Sequence, residues 1–116
     1  RLMLALKAIH SENNLNLSMI FDEIDTGVSG EVAKRMGKLM RQLSANGQII
    51  AITHSPGVAA QGIDHIKIYK EEQGDQVVSK FVTLSEEERL IELATMFSGN
   101  QITKAALESA RSLRKP

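Results

Sequence analysis

Two short polar segments follow apolar runs in this chain, and their residue types suit phosphate chemistry. Asp22 and Glu23 end the apolar run that starts at residue 17, and His54 follows the run at residues 48–53. A carboxylate at the end of a rigid strand can hold Mg²⁺ directly or through a water, since this cation combines carboxylate, water and phosphate oxygens. An adjacent carboxylate can polarise a water for in-line attack on a γ-phosphate. Asp22 and Glu23 are candidates for these two roles, and His54 for a contact with the γ-phosphate or the attacking water.

Each segment also has a simpler interpretation. An acidic pair at a strand end is common on protein surfaces, and a lone histidine there often caps the strand or is a satisfied polar group. In open α/β sheets, however, ligands bind just beyond the carboxyl ends of the strands. The acidic pair and His54 are both expected at such ends, and their combination favours one shared site.

The composition excludes several other kinds of site. The chain has 116 residues, one domain by the usual prior of about 100–200 residues. Its 14 basic and 14 acidic residues give zero net charge, which argues against a highly basic nucleic-acid-binding tail or an acidic disordered segment. The absence of cysteine excludes disulfides, thiolate metal sites and cysteine nucleophiles. No apolar run approaches the roughly 18 residues that span a bilayer, so no membrane association is expected. Without an initiator Met, the chain is expected to be part of a longer protein.

The elements that must position these side chains alternate between helix and strand. Apolar spacing predicts a buried helix over residues 1–13 and then a strand over residues 17–22 that is buried on both faces. Residues 26–30 are a predicted loop, in which Ser29 is the N-cap of a helix of about four turns. A second buried strand follows at residues 48–53. This order predicts an α/β fold with a parallel sheet.

The C-terminal half adds a hairpin and two helices to the predicted fold. A Ser-Pro step after His54 predicts a short helix. Alternating apolar residues on both sides of Gly74 predict an antiparallel hairpin. Ser85 and Thr103 are the predicted caps of the last two helices. The basic end at residues 111–115 suits the negative end of a helix dipole and is expected to fray.

The sequence lacks the loop that would bind phosphates in such a site. A P-loop has the pattern G-x-x-x-x-G-K-[ST]. The one Gly-Lys pair is Gly37-Lys38, which is followed by Leu39 and lies in the middle of a predicted helix. The chain is therefore predicted to supply the water-activating half of a nucleotide site. By itself it is expected neither to bind ATP tightly nor to hydrolyse it.

Two segments, IFDEIDTGVSG and AITHSPGVAA, resemble the C-terminal part of the RecN family, bacterial DNA-repair ATPases of the SMC-like branch of the ABC ATPases. The resemblance covers essentially the whole chain. It implies a single domain over residues 1–116, the parallel-sheet C-terminal lobe of an ABC/SMC-like P-loop NTPase head, acting in DNA double-strand-break repair and recombination. The Walker A lobe would then lie upstream in the same polypeptide, with the signature motif just before Arg1.

The same resemblance implies the cofactors, the partners and a role for each motif residue. The implied cofactors are ATP and Mg²⁺, and the implied partners are DNA and a second head in an ATP-dependent homodimer, in the bacterial cytoplasm at the nucleoid. Asp22 would be the Walker B carboxylate that binds Mg²⁺, Glu23 the catalytic base, and His54 the switch histidine near the γ-phosphate. The D-loop, which contacts the opposite ATP site of the dimer, would comprise residues 26–30, with Thr26, Gly27, Ser29 and Gly30 as candidate nucleotide contacts.

Two other functions fit parts of the sequence. In a helicase-type ATPase fragment, a D-E-x-D element precedes a Ser-Ala-Thr element by a few tens of residues. Asp25 would be the last acid of the first element, and Thr53-His54 would lie near the second, although the chain has Ala-Ile-Thr-His there. A non-catalytic dimerisation or partner-binding module would instead use residues 85–116, which have no place in the minimal nucleotide site.

Overall fold

The computed structural model describes residues 18–115, so the helix predicted over residues 1–13 lies outside the described part. None of the described helices has the length and apolar character needed to cross a membrane. The predicted alternation of helix and strand is confirmed. In chain order the elements are β1 (Ser18–Asp22), α1 (Gly30–Leu43), β2 (Gln48–Ile52), α2 (Pro56–Ala59), β3 (Ile66–Gln73), β4 (Gln76–Thr83), α3 (Glu86–Ser98) and α4 (Lys104–Arg114).

Strands β1 and β2 form a parallel pair, and α1 connects them. The register places Asp22 opposite Ile52, so the carboxyl ends of both strands lie at the same edge of the sheet. The predicted N-cap of α1 is confirmed, since the hydroxyl of Ser29 accepts a hydrogen bond from the backbone N–H of Val32 at 3.3 Å. This cap fixes where the loop after β1 ends and the helix begins.

Only one face of the parallel pair is covered, so the prediction of strands buried on both faces is wrong for the described residues. Phe21 and the partly buried Met19 and Ile49 pack in one apolar cluster with residues of α1. On the opposite face Ile20 is 69% exposed and Ile50 is 46% exposed. Two strands with one helix layer leave the second face without a covering layer among residues 18–115.

Strands β3 and β4 form the predicted antiparallel hairpin. The turn contains Gly74 with a φ of +61°, a conformation that glycine adopts without steric cost. Ile68 lies opposite Phe81, and these two side chains are 68% and 78% exposed. On the other face, Lys67 forms an ion pair with Glu92 of α3 at 2.6 Å. The hairpin therefore turns one face toward α3 and leaves the other open.

Helix α2 joins two apolar clusters. Val58 belongs to the cluster beneath the parallel pair, and Ala59 packs against the cluster between α3 and α4. Helix α1 approaches α2 closely at Gly37, where an added Cβ would lie 3.0 Å from the carbonyl oxygen of Gly57. The short helix is thus packed on both sides. The second cluster consists of Ala60, Leu93, Ala94, Ala106 and Ala110.

The C-terminal helices are anchored more firmly than the sequence indicates. The predicted caps are confirmed, since the hydroxyls of Ser85 and Thr103 accept backbone N–H groups in the first turns of α3 and α4. The basic end of α4 was expected to fray, and this expectation is wrong. Arg114 donates to the carbonyl oxygen of Ala60 at 2.7 Å and forms an ion pair with Glu86 at 2.6 Å. These contacts tie the last turn to α2 and α3.

Candidate active site

The carboxyl ends of β1 and β2 bring Glu23 and His54 together. The backbone N–H of Glu23 donates to the carbonyl oxygen of Ile52 at 2.8 Å, which extends the parallel ladder one residue beyond β1. The Oε1 atom of Glu23 lies 3.7 Å from Nδ1 of His54, and these side chains are 59% and 70% exposed. A ligand at this edge of the sheet can therefore reach both side chains at once.

Asp22 is the last residue of β1, next to Glu23, and its side chain is exposed. Since side chains alternate along a strand, it lies on the open face with Ile20 rather than on the face of Phe21. The described residues contain no group of three or more His, Asp or Glu side chains that could hold a metal ion by themselves. One exposed carboxylate beside a second still fits Mg²⁺, because this ion binds through one or two carboxylates plus phosphate and water oxygens.

Glu23 occupies an unusual backbone conformation. Its φ is +50°, the one positive value for a non-glycine residue among residues 18–115. Such residues are uncommon, and they persist where surrounding contacts hold them. Here the carbonyl oxygen of Glu23 accepts hydrogen bonds from the backbone N–H of Thr26 at 3.3 Å and from its hydroxyl at 3.0 Å. The left-handed residue turns the chain out of the sheet and leaves the carboxylate at the strand end.

The remaining candidate residues form the exposed turn between β1 and α1. Thr26 contacts Glu23 directly, as described above. Gly27 has a φ of +79°, which permits the turn. Ser29 caps α1, and Gly30 is its first residue. Among residues 18–115, nothing beyond the adjacent residues and the backbone of α1 itself lies within 4 Å of a Cβ built on Gly27 or Gly30. These four residues therefore form an open surface that is continuous with Glu23.

The leading sequence interpretation assigned no role to the buried acid of this loop, Asp25. Asp25 is 6% exposed, and its Oδ2 accepts a hydrogen bond from the hydroxyl of Thr53. The Thr53 hydroxyl oxygen in turn accepts the backbone N–H of Ser55 at 2.9 Å. The helicase-type alternative had singled out both Asp25 and Thr53, although for another reason. The available signal was a third acid three residues after Asp22.

A cluster of three arginines, Arg41, Arg89 and Arg114, surrounds residues 59–63 and is not predicted by the sequence patterns. Arg89 is 1% exposed and donates to three backbone carbonyl oxygens at 2.7 to 3.3 Å. Arg41 and Arg114 donate to two more at 2.8 and 2.7 Å. Burial lowers the pKa of the Arg89 guanidinium. The signal was an arginine four residues before Leu93, on the apolar face of α3. The five carbonyls belong to Ala59, Ala60, Gln61, Gly62 and Ile63.

Comparison with known proteins relates the chain to one group of DNA repair proteins. No family model matches the chain. It is 42% identical over 113 residues to the DNA repair protein RecN of Halalkalibacterium halodurans, covering 97% of this chain and 20% of that protein. It is 45% identical over 113 residues to RecN of Rickettsia conorii, covering 97% of this chain and 21% of that protein. It is 43% identical over 116 residues to RecN of Rickettsia typhi, covering 100% of this chain and 21% of that protein. The chain thus spans about a fifth of the length of these relatives. The resemblance drawn from the sequence is confirmed.

The fold also matches a solved structure. That structure comes from a study of the ATP-driven dimerization and DNA-stimulated activation of SMC ATPases. The TM-score is 0.63 at 24% sequence identity, and the match covers 86% of this chain and 59% of that one. The expectation of an α/β lobe of SMC-like type, with an antiparallel hairpin and two C-terminal helices, is confirmed.

Proposed function

We propose that this chain, which is similar along its whole length to RecN proteins, is the C-terminal lobe of a RecN-type ATPase that acts in DNA double-strand-break repair and recombination. The observation that carries the proposal is the meeting of Glu23 and His54 at the carboxyl ends of two parallel strands. The matches to RecN proteins and to an SMC ATPase favour this function over a helicase-type fragment or a non-catalytic module. The lobe is a single domain over residues 1–116.

In the proposed reaction the strand-end residues divide the work of ATP hydrolysis. Asp22 would hold Mg²⁺ directly or through a water, and the ion would neutralise charge on the phosphates. Glu23 accepts a proton from the attacking water, which general-base catalysis requires to be within hydrogen-bond reach. His54, 3.7 Å from the Glu23 carboxylate, donates a hydrogen bond to the γ-phosphate from the same edge of the sheet. The exposed side chains need a covering surface to exclude bulk water.

The open apolar faces support a lobe of the same polypeptide as that cover. Ile20 and Ile50 on the sheet, and Ile68 and Phe81 on the hairpin, are all at least 46% exposed. Burying such surface stabilises a protein by about 25 cal/mol per Å². Asp22 lies on the same face of β1 as Ile20. A Walker A lobe packed there would place its phosphate-binding loop beside Asp22, and without it the chain is expected to bind ATP poorly.

A second head is the proposed partner at the turn between β1 and α1. Thr26, Gly27, Ser29 and Gly30 are exposed beside Glu23 and can contact the nucleotide of an opposing head. ATP-driven dimerization and DNA-stimulated activation are described for the SMC ATPases whose solved structure this fold resembles. We extend both properties to the protein that contains this chain, with DNA as a partner at the nucleoid in the bacterial cytoplasm.

Substitution of the candidate base tests the proposal. In the full-length protein, Glu23→Gln should lower kcat for ATP hydrolysis by about a hundredfold or more, because the amide cannot accept the proton from water. ATP-bound dimers should then be long-lived. Phosphate release measures the first effect, and light scattering with ATP measures the second.

Glu31→Gln provides the matched control. Glu31 is an exposed acid in the first turn of α1 and forms a 4.0 Å ion pair with Arg35. This variant should keep the wild-type kcat. Wild-type turnover in Glu23→Gln, or an equal loss in both variants, would remove Glu23 from the mechanism.

A further inference from the structure

We propose that Asp25 and Thr53 are positioning residues that hold His54 at the reaction centre. The proposal rests on the proposed ATPase function. It concerns two residues outside the strand-end set of Asp22, Glu23 and His54 that are joined to each other by a hydrogen bond. Asp25 lies in the turn after β1, and Thr53 lies directly before His54.

The hydrogen-bond directions follow from the chemistry of the groups. The Thr53 hydroxyl donates to Oδ2 of Asp25, whose lone pairs can accept it. The hydroxyl oxygen then keeps lone pairs for the backbone N–H of Ser55, which donates to it at 2.9 Å. The result is a directed chain from Ser55 through Thr53 to Asp25. Reversing the bond to Ser55 would leave a donor facing a donor, and turning the Thr53 proton away from Asp25 would leave two oxygen acceptors facing each other.

These two hydrogen bonds fix the backbone on both sides of His54. Thr53 is held through its side chain and Ser55 through its N–H, while the ladder bond from Glu23 to Ile52 holds the preceding peptide at 2.8 Å. His54 itself is 70% exposed, and its recorded side-chain contact is the one with Glu23 at 3.7 Å. The position of the imidazole thus depends on its neighbours in sequence.

The burial of Asp25 lowers the stability of the fold, which points to a role in the reaction. Asp25 is 6% exposed, and its second carboxylate oxygen, Oδ1, has no hydrogen-bond partner among the described residues. Burying a polar group with an unpaired oxygen destabilises a fold, and functional sites are where proteins retain such groups. If this position served only to shape the turn, a neutral or apolar residue would give a more stable fold.

The test compares two substitutions of Thr53 in the full-length protein. Thr53→Val keeps the size and branching of the side chain but removes the hydroxyl, whereas Thr53→Ser keeps the hydroxyl. Since misplacing a reacting group lowers kcat without weakening distant binding contacts, Thr53→Val should lower kcat about tenfold with the KM for ATP changed less than about twofold. Thr53→Ser should restore at least about half of the wild-type kcat.

Asp25→Asn tests the acceptor of the Thr53 hydroxyl, and it covers the case in which Thr53→Val fails to fold. It should lower kcat in the same direction, because the neutral amide accepts the Thr53 hydroxyl less strongly. The double variant should lose no more than Thr53→Val alone, since both residues act through one connection. The melting temperature of each variant, measured alongside, should not follow the order of the kcat values.

The outcomes separate this inference from the proposed function. If Glu23→Gln abolishes turnover while Thr53→Val and Asp25→Asn keep the wild-type kcat, the positioning role is wrong and the ATPase function stands. If Thr53→Ser loses as much kcat as Thr53→Val, the hydroxyl is not the active feature and the inference also fails. If Glu23→Gln turns over normally, the proposed function fails first.

Discussion

The strand-end site and the arginine cluster differ in solvent exposure and in how their oxygen acceptors are hydrogen-bonded. In the strand-end site, formed by Asp22, Glu23 and His54, Oε1 of Glu23 lies 3.7 Å from Nδ1 of His54, and both side chains are exposed. In the arginine cluster, five consecutive carbonyl oxygens accept guanidinium hydrogen bonds at 2.7 to 3.3 Å, and Arg89 is 1% exposed. The first region is open to a ligand, and the second is closed by the chain itself.

This difference indicates which of the two regions stabilises the lobe. Exposed carboxylates and imidazoles can remain unpaired because water solvates them, whereas a buried guanidinium such as that of Arg89 must find acceptors. Helix α2 lies between the two regions, since it begins just after His54 and ends at Ala59, the first carbonyl of the arginine cluster. The closed region therefore anchors one end of a short helix whose other end meets the candidate chemistry.

The largest expected effect comes from removing the centre of the closed region. Arg89→Leu removes the shared donor of three part-buried hydrogen bonds, and a hydrogen bond to a charged group contributes about 1.5–3 kcal/mol. The free energy of local unfolding should therefore fall by about 3 kcal/mol or more. Hydrogen exchange of backbone amides in the full-length protein measures this loss, which should be concentrated in α2 and α3.

Arg111→Leu is the matched control for this prediction. Arg111 is an exposed residue of α4, the helix that also carries Arg114. Its substitution should change the local free energy of unfolding by less than about 0.5 kcal/mol. If Arg89→Leu leaves the exchange of α2 and α3 unchanged, the arginine cluster does not stabilise the lobe. If β1 loses as much protection as α3, the two regions form one cooperative unit.

Sequence patterns predicted the elements well, because each is determined by short-range physics. Apolar spacing located α1 and β2, and hydroxyl caps at Ser29, Ser85 and Thr103 marked the helix starts where the hydrogen bonds now show them. The meeting of Glu23 with His54 also follows from a simple rule, since the carboxyl ends of neighbouring parallel strands share one edge.

The missed features depend on contacts between residues far apart in sequence. The Asp25–Thr53 bond joins residues 28 positions apart, and Arg114 reaches the carbonyl oxygen of Ala60 across 54 positions. No local pattern specifies which helix end an arginine will reach. The open face of β1 escaped prediction for a related reason, because apolar residues on both sides of a strand show that both faces avoid water but not which other segment covers them.

A smaller effect is expected where α1 and α2 touch. An alanine Cβ at Gly37 would lie 3.0 Å from the carbonyl oxygen of Gly57 and 3.1 Å from the Cα of Val58, and both are backbone atoms that cannot rotate away. Alanine gains up to about 1 kcal/mol in helix propensity, but overpacking costs about 1–3 kcal/mol. Gly37→Ala should therefore destabilise the lobe by about 1–2 kcal/mol.

Because α2 packs against both apolar clusters, Gly37→Ala tests whether this helix connects the strand-end site with the arginine cluster. A displaced α2 should reduce amide protection in α1 and in α3 together, unlike Arg89→Leu. Lys38→Ala, at the exposed neighbouring position, should change protection by less than about 0.5 kcal/mol. Equal protection in Gly37→Ala and in the wild type would mean that the two helices can separate without cost, and α2 would no longer connect the regions.

The smallest expected effect is a pH dependence of stability that originates next to the arginine cluster. Burial, and next the charge of Arg89, lowers the pKa of His65 below 6.5. A hydrogen bond from Arg114 lowers the pKa of the exposed Glu86 below 4.5. Both groups bind a proton less readily in the folded chain than in the unfolded one. As the pH falls, the unfolded state takes up these protons first, so stability decreases on acidification.

The two groups act in different pH windows, so one substitution can separate them. The His65 contribution is fully present above pH 6.5 and is lost as the pH falls below it, whereas that of Glu86 is lost only below 4.5. In the full-length protein, the urea midpoint followed by circular dichroism should decrease between about pH 7.5 and pH 5.5, by less than Gly37→Ala shifts it, because His65 is only partly buried. His65→Gln should flatten the profile in that interval and leave the fall below 4.5 intact. A midpoint that rises on acidification, or a His65→Gln profile with the wild-type slope, would place the source of the pH dependence outside the closed region.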